Sequence, residues 1–284
     1  MQQLKTWTFF DGEWLEGNPK FIGPLSHGSW MGSPVFDGAR IFDGYAPDLM
    51  LHCERVVKSA EAMLMKSPVS AEKIYELTKT GAKKFGSEDL YVRPLIWAEE
   101  SMGLLRCNPD SAKFCLSVIE MPLPDDSGLS ACISSFKKPD ASSAPTDAKA
   151  ACLYPNGARA MQEAISRGFQ HAIMLDQNLK VAEFASANLF IVKDEVILTP
   201  KATGCFLAGI TRSRVITLAK ENGLKVVETD IEVDDVLNAD EVFSTGNYSK
   251  LSYFNKIENK RMERGEIYKQ LREIYFEFSK TCKL

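Results

Sequence analysis

The spacing of apolar and polar positions predicts strands and two amphipathic helices in the first part of the chain. An aromatic run before Asp11-Gly12 and apolar residues after it are typical of a β-hairpin over residues 6–15, because this dipeptide favours tight hairpin turns. Apolar residues at helical spacing, and Ser70 as a capping residue, predict two helices. The expected elements are a glycine-rich loop at 23–32, a strand at 35–42, helices at 51–65 and 70–85, and strands at 90–98 and 113–119.

The second part of the chain also mixes strands and helices, and a linker precedes it. The proline-rich and acidic run from Met121 to Gly128 is the clearest linker in the sequence. We therefore predict an α/β (α+β) chain with a small first domain at 1–121, a linker at 122–128 and a larger second domain at 129–284. The elements expected in the second domain are strands at 129–135, 172–176, 181–183, 195–199, 225–228 and 240–244, and helices at 156–167, 211–222 and 266–282.

Composition narrows the class of protein. The chain has 284 residues, a formal net charge of -4, 45% hydrophobic residues and 25% charged residues. These values indicate a folded globular protein and argue against non-specific binding to nucleic acid. No apolar run is long enough to span a bilayer, and we expect no signal peptide. The seven cysteines are scattered, without a Cys/His cluster, so we expect no disulfide framework, no metal site and a reducing cytoplasm.

Lys149 is the main candidate for covalent chemistry. Small or apolar residues surround it in sequence, among them Ala148, Ala150 and Leu153, and this setting fits a buried lysine. Burial or nearby positive charge makes a lysine amine a nucleophile towards an aldehyde. An ordinary exposed lysine is the alternative, and composition alone favours it.

Glu183 is the candidate for tuning a cofactor. It lies on a predicted strand between Ala182 and Phe184. A carboxylate beside the pyridine nitrogen of pyridoxal phosphate keeps that nitrogen protonated, so that the ring acts as an electron sink. An exposed strand residue is the alternative, and Glu183 taken alone favours it.

Groups suited to anions occur at several places. Gly209-Ile210-Thr211 opens a predicted helix, where free backbone N–H groups, the helix dipole and a hydroxyl favour phosphate; a simple helix cap explains it equally well. The run from Ser244 to Asn247 follows a strand and offers similar donors. Arg55 could clamp a phosphate or face solvent. Arg40, Tyr91 and Arg93 lie on predicted strands, where a substrate carboxylate or a peripheral ion pair would account for them.

The order of these signals resembles the fold-type IV pyridoxal phosphate enzymes, and within them most closely the branched-chain aminotransferases. The resemblance runs from about Phe10 to Phe254. It is carried by six stretches: 35–40 is similar to VFEGIR, 52–60 to HxxRLxxSA, 91–94 to YIRP, 149–154 to the lysine segment that ends in tyrosine, 175–190 to LDxxGxxxExxxxNLF and 208–212 to PGITR. Two of them depart from the family, since Leu179 stands near the usual glycine and Ala208 replaces the proline.

The resemblance implies roles for individual residues. Lys149 would form the Schiff base with the cofactor and carry the proton between the substrate α-carbon and the cofactor C4′. Tyr154 would hydrogen-bond the phenolic oxygen, and Glu183 would pair with the ring nitrogen. The cofactor-binding residues implied in this way are Arg55, Lys149, Tyr154, Glu183, Gly209, Ile210, Thr211, Gly246 and Asn247. Those implied around the substrate are Phe36, Arg40, Tyr91, Arg93, Tyr248 and Ser249.

The activity implied by the resemblance is transfer of the amino group of L-leucine, L-isoleucine or L-valine to 2-oxoglutarate. The mechanism would be ping-pong, through pyridoxamine phosphate. The resemblance also implies the two-domain fold of D-amino acid aminotransferase, with an active site between the domains and residues borrowed from a second subunit. We therefore expect a homodimer or a higher oligomer, with no nucleic-acid or membrane partner.

Departures from the family keep other activities open. Met31 and the run Asn247-Tyr248-Ser249 replace residues that help to bind substrate in the family, so a transaminase for D-amino acids or (R)-amines is the alternative. A lyase of the aminodeoxychorismate type is disfavoured by the stretches at 35–40 and 91–94. A non-enzymatic relative would be expected to lose Lys149 or Glu183. Arg106 could contact the distal carboxylate of glutamate, although we prefer a solvent-facing position.

Overall fold

The computed structural model describes residues 4–86 and 88–284, and these form two compact units. Unit 1 contains the described residues up to Leu123, together with Asp147–Cys152 and Ser279–Leu284. Unit 2 contains Pro124–Thr146 and Leu153–Phe278. The first change of unit falls inside the predicted linker. The segments 147–152 and 279–284 belong to unit 1, whereas the sequence analysis placed them in the second domain; residues 1–3 and 87 of the predicted first domain lie outside the described residues.

Unit 1 is built on an antiparallel sheet of six strands with helices beside it. The strand order is β2-β1-β8-β5-β3, and β4 also pairs with β5. The elements are the strands β1 (Thr6–Phe10), β2 (Glu13–Glu16), β3 (Val35–Phe36), β4 (Ala39–Ile41), β5 (Leu90–Ala98), β6 (Ser101–Met102), β7 (Arg106–Cys107) and β8 (Ala112–Glu120), and the helices α1 (His27–Trp30), α2 (Leu49–Ala62) and α3 (Ala71–Ala82).

Local chemistry explains where the elements of unit 1 begin and turn. Asp11 and Gly12 have φ values of 49° and 90°, the left-handed pair that a two-residue hairpin turn requires. Helix α3 begins after Ser70, whose hydroxyl accepts a hydrogen bond from the backbone N–H of Lys73 at 3.3 Å. The central strand β5 alternates buried and less buried residues and pairs with β8 over its whole length.

Two predictions for unit 1 are wrong in detail. The expected loop at 23–32 contains the short helix α1, in which Gly28 lies so close to Trp97 that an added Cβ would stand 2.9 Å from the ring. The expected strand at 35–42 is broken into β3 and β4. The break lies at Asp37 and Gly38, because the Asp37 side chain turns inward and accepts a hydrogen bond from the Gly38 N–H at 2.7 Å.

Unit 2 contains a mixed sheet of nine strands and four helices. The strand order is β11-β10-β9-β16-β15-β12-β13-β14, and β17 pairs with β16. The pairs β9–β10, β9–β16 and β13–β14 are parallel, and the others are antiparallel. The elements are the strands β9 (Leu129–Lys137), β10 (His171–Leu175), β11 (Val181–Phe184), β12 (Asn188–Lys193), β13 (Val196–Pro200), β14 (Val226–Thr229), β15 (Glu241–Gly246), β16 (Lys250–Ile257) and β17 (Lys260–Arg261), and the helices α4 (Tyr154–Ser166), α5 (Ile210–Glu221), α6 (Val233–Leu237) and α7 (Glu266–Ser279).

Besides strand β12, which the sequence analysis did not predict, three further elements of unit 2 are absent from the sequence prediction. Strand β16 lies between β9 and β15, and its buried residues do not alternate regularly, so a period-two search misses it. Helix α6 has only five residues and is marked by a reciprocal cap between Glu232 and Asp235. The third, β17, has two residues. Within the described ranges, no helix is long and apolar enough to cross a membrane.

Candidate active site

Lys149 lies in unit 1 on a segment that is fixed by backbone hydrogen bonds. Its N–H donates to the Ser59 hydroxyl at 3.0 Å, and its carbonyl accepts from the Phe36 N–H at 3.1 Å. The next residue, Ala150, forms an antiparallel bridge with Val35. The ammonium lies 5.0 Å from the centre of the Phe36 ring. The backbone of Lys149 is therefore held rigidly, while its half-buried side chain lies over an aromatic face.

A buried charged cluster lies where β3 and β4 separate. Asp37 is fully buried and accepts two hydrogen bonds from Arg55, at 2.6 and 2.8 Å. The Nδ1 atom of His52 lies 2.7 Å from the same carboxylate. Burial by itself would raise the pKa of Asp37, but the charges and hydrogen bonds of Arg55 and His52 outweigh burial and hold that pKa well below its usual range. The predicted phosphate clamp Arg55 is thus oriented by a carboxylate at one end.

The predicted substrate residues on β4 and β5 are neighbours. Arg40 and Tyr91 stand opposite each other in the two strands. The guanidinium groups of Arg40 and Arg93 lie 5.3 and 5.4 Å from the centre of the Tyr91 ring. Arg40 is fully buried and donates to the carbonyl of Met121, whereas Arg93 is exposed. Their roles towards a substrate stay predictions.

Glu183 lies in unit 2 on β11 and is held by two polar side chains. The Lys138 ammonium lies 2.6 Å from Oε1 of Glu183. The side-chain amide of Asn188 donates to Oε2 at 3.0 Å and to the carbonyl of Leu207 at 3.1 Å. Glu183 is 8% exposed, so its carboxylate is buried but paired with a cation, as buried carboxylates require.

The start of α5 is tied to the same cluster through Asn188. Gly209 is the capping residue of α5, and a Cβ added there would stand 2.1 Å from Oδ1 of Asn188. Asn188 also stands opposite Thr245 in the β12–β15 pair. Thr211 and Thr245 are both buried, and Oγ1 of Thr245 has no hydrogen-bond partner among the described residues. Unit 2 therefore brings a paired carboxylate and a helix N-terminus to the two sides of one asparagine.

The remaining predicted site residues of unit 2 lie at element ends. Gly246 ends β15, and the amide oxygen of Asn247 accepts a hydrogen bond from the Lys250 ammonium at 2.6 Å. Tyr248 is 57% exposed in the following turn, next to the partly buried Ser249. Tyr154 is the first residue of α4 and is 37% exposed.

Comparison with known proteins identifies the family. The sequence model of the family described as Amino-transferase class IV matches residues 34–257. The chain belongs to this family. Its members use pyridoxal phosphate, so the chain is a pyridoxal phosphate-dependent aminotransferase of fold type IV. The sequence-based expectations of family, two-domain α/β fold, enzyme class and cofactor are therefore confirmed.

Individual relatives of this class IV aminotransferase cover nearly the whole chain. A branched-chain-amino-acid aminotransferase of Pseudomonas aeruginosa is 34% identical, over 95% of this chain and 91% of its own length. An aminotransferase from Brucella abortus, solved with bound PLP, is 40% identical with a TM-score of 0.96 and covers 97% of this chain and 99% of its own. The T.th. branched-chain amino acid aminotransferase, solved with N-(5'-phosphopyridoxyl)-L-glutamate, is 29% identical with a TM-score of 0.89, over 98% and 95% of the two chains.

The class IV fold also contains polar residues that the sequence analysis did not assign. Lys138 gave no signal, because the pair Lys137-Lys138 resembles a solvated surface run. Asp37 and Asn188 belong to the motifs by which the family was recognised, but their links to Arg55 and to Glu183 with Gly209 depend on side-chain contacts. The polar Asn188, which precedes four apolar residues of β12, was the one signal that could have been used.

Proposed function

We propose that this aminotransferase transfers the amino group of L-leucine, L-isoleucine or L-valine to 2-oxoglutarate by a ping-pong mechanism. The observation that carries the transaminase chemistry is the buried carboxylate of Glu183, which is paired with Lys138 and linked through Asn188 to the helix start at Gly209. The branched-chain donors are supported by the activity named for the Pseudomonas aeruginosa and T.th. relatives. The phosphopyridoxyl-glutamate bound in the T.th. enzyme supports glutamate and 2-oxoglutarate as the second pair.

The residues of unit 2 fit the two ends of pyridoxal phosphate. When bound, pyridoxal phosphate would supply an electron sink and a carrier for the transferred amino group. Glu183 would pair with the ring nitrogen, and the Lys138 cation lies 2.6 Å from the same carboxylate. The backbone N–H groups of Ile210 and Thr211 and the hydroxyl of Thr211 bind the phosphate at the start of α5. A side chain at position 209 would displace Asn188, which accounts for the glycine there.

The role proposed for Arg55 is to bind the phosphate of the cofactor. Its guanidinium is planar and presents donors at both edges, so that it can bind Asp37 and an anion at once. The fully buried Asp37 fixes the orientation of the fork. Gly246 and Asn247 offer further donors to the phosphate.

Lys149 carries the reaction. Its amine would hold the cofactor through the aldehyde group and would move a proton at the substrate α-carbon. The backbone hydrogen bonds to Ser59 and Phe36 fix the point from which the Lys149 side chain extends. Less conformational freedom is therefore lost when the amine is placed next to the reacting atom. Tyr154 donates a hydrogen bond to the phenolic oxygen of the cofactor.

The substrate contacts are proposed for residues of β3, β4 and β5 and for the turn after β15. The Arg93 guanidinium is exposed and stacked near Tyr91, so it can reach a carboxylate. The aromatic faces of Phe36 and Tyr91 suit a branched aliphatic side chain. Arg40, whose guanidinium lies 5.3 Å from the centre of the Tyr91 ring, is proposed to support that ring. Tyr248 and Ser249 are the further candidates for substrate contact.

A homodimer is part of the proposal. Unit 1 exposes several large apolar side chains to water, and exposed apolar surface of this kind marks interaction sites. These side chains are Leu25 at 87%, Trp30 at 61%, Leu104 at 68% and Leu105 at 74%. A second copy of the chain would cover such a surface. The seven described cysteines are free thiols, which supports the cytoplasm as the working compartment.

The test of the proposed function is a titration of the cofactor-loaded protein with single amino donors. L-leucine, L-valine, L-glutamate, D-alanine and (R)-1-phenylethylamine are added separately while the visible absorbance of the cofactor is followed. Loss of that absorbance with the branched L-donors and L-glutamate, and release of the matching oxo acids, is the expected result. A response only to D-alanine or the (R)-amine would replace the proposed substrates by the alternative class.

A further inference from the structure

The turn between β15 and β16 buries a lysine in a conformation that lysine seldom adopts. Lys250 is 0% exposed and has a φ of 64°, in the left-handed region. It pairs with Gly246 across a loop of three residues. Loops of this length commonly place one residue in the left-handed region, and glycine or asparagine fits there with less strain than lysine. The geometry of the turn by itself therefore does not account for a lysine at this position.

The Lys250 ammonium orients the side chain of Asn247. It donates to Oδ1 of Asn247 at 2.6 Å, and this contact fixes which end of the amide faces the lysine. The opposite end, Nδ2, is buried and has no hydrogen-bond partner within residues 4–86 and 88–284. The hydroxyl of Thr245, two residues earlier, is likewise buried and unpartnered in the described part of the chain. Since buried donors are nearly always satisfied in folded proteins, both groups indicate a ligand.

The chemistry of these groups selects an oxyanion. An amide N–H and a hydroxyl donate hydrogen bonds, and a buried ammonium behind the amide strengthens them and repels cations. We propose that Lys250 is a positioning residue of an oxyanion site formed with Thr245 and Asn247, a role that rests on the proposed function. The oxyanion is either the phosphate of the cofactor or the carboxylate of the substrate.

The experiment compares Lys250→Asn, Lys250→Arg and Lys256→Asn in the full-length chain. Asparagine removes the charge but tolerates the left-handed backbone, so this variant is expected to fold. Arginine keeps the charge, and Lys256 provides a matched control on the same strand. Binding of pyridoxal phosphate and of pyridoxal, which lacks the phosphate, is measured on cofactor-free protein. Binding of 4-methylvaleric acid, a carboxylate without an amine, is measured on loaded protein, and thermal unfolding is recorded for each variant.

We expect Lys250→Asn to weaken the binding of one of the two oxyanions by about tenfold, because a charge-assisted contact is lost. If the variant binds pyridoxal phosphate more weakly but binds pyridoxal as the wild type does, the oxyanion is the cofactor phosphate. If it binds 4-methylvaleric acid more weakly, the oxyanion is the substrate carboxylate. Lys250→Arg should restore much of the loss, and Lys256→Asn should show none. Unchanged binding of all three ligands to folded Lys250→Asn overturns the inference. A wild-type chain that binds no pyridoxal phosphate instead overturns the proposed function.

Should Lys250→Asn fail to fold, Asn247→Leu provides the second variant. Leucine removes the amide donor from the turn, outside the strained position. Loss of phosphate or carboxylate binding supports the site, and wild-type binding of both by a folded Asn247→Leu chain contradicts it.

Discussion

The ammonium of Lys138 lies 2.6 Å from Oε1 of Glu183, and only 16% and 10% of the two side chains are exposed. In a setting this dry, a carboxylate without its cation favours the neutral form. In the role proposed for Glu183, loss of this cation would weaken the support that the carboxylate gives to positive charge on the ring nitrogen of the cofactor. The pair therefore connects Lys138, for which no substrate contact is proposed, to the rate of the reaction.

Replacement of that lysine tests the connection. We expect Lys138→Met to lower kcat/KM by at least about tenfold, because one partner of a buried ion pair is removed. Lys137→Met is the matched control, since no ion pair in the described part of the chain joins Lys137 to Glu183. Steady-state kinetics with L-leucine and 2-oxoglutarate decides the matter. Equal kcat/KM for Lys138→Met and wild type would show that Glu183 does not depend on Lys138.

A substitution at Gly209 tests the packing of the start of α5 against Asn188, where an added Cβ would stand 2.1 Å from Oδ1. We expect Gly209→Ala to lower the free energy of unfolding by about 1–3 kcal/mol, because the new Cβ pushes Asn188 away from Glu183 and Leu207. The same variant should retain pyridoxal phosphate poorly. Gly23→Ala is the control, since a Cβ there meets nothing within 4 Å. Denaturant unfolding of both variants measures the effect, and equal stabilities would contradict the predicted clash.

Asp37 predicts a pH dependence with a definite sign. Its pKa in the folded protein lies below the ordinary value, so the stability it provides is present above about pH 4 and is lost as the pH falls further. We expect Asp37→Asn to lower the free energy of unfolding by about 3 kcal/mol at neutral pH, since Arg55 and His52 lose their anion. The difference in the free energy of unfolding between Asp37→Asn and wild type should narrow only below about pH 4. The control is Asp110→Asn, which breaks the exposed pair with Lys66 and should have no measurable effect on the free energy of unfolding. If the difference between Asp37→Asn and wild type narrows between pH 7 and 5, ionisation of Asp37 is not its cause.

Leu179 supplies a prediction in the stabilising direction. It stands near the position where the family has glycine, and its φ of 67° lies in the left-handed region. We expect Leu179→Gly to raise the free energy of unfolding by about 0.5 kcal/mol, because relief of backbone strain exceeds the added freedom of the unfolded chain. Leu51→Gly, at an exposed position of α2 without positive φ, should lower it. Denaturant midpoints of the two variants should move in opposite directions, and a shared direction would contradict the strain at Leu179.

The sequence predicts best what depends on local periodicity and on motifs. Strand β5 was predicted with the bounds that it has in the structure, because alternation along 90–98 is regular and Pro94 leaves it intact. Leu179 occupies the left-handed backbone position that the motif assigns to glycine. Strand β16 was missed, because its neighbours β9 and β15 bury it irrespective of its own pattern.

Contacts between distant side chains were beyond the reach of the sequence. Lys138 meets Glu183 across 45 positions, and nothing in its neighbourhood distinguishes it from a solvated lysine. The same holds for the bond between Lys250 and Asn247, which depends on the shape of one turn. Arg55 was predicted as a phosphate clamp. The carboxylate that orients it, Asp37, was not predicted as its partner, because that contact depends on the break between β3 and β4.

The most direct test of the account is to locate the lysine that carries the cofactor. The loaded protein is reduced with borohydride, digested and mapped by mass spectrometry, with Lys149→Ala treated in parallel. We predict a phosphopyridoxyl group on Lys149 in the wild type, and a folded Lys149→Ala protein that carries no such group and has no transaminase activity. A label on another lysine of the wild type, such as Lys138 or Lys250, or turnover by Lys149→Ala, would contradict the role given to Lys149.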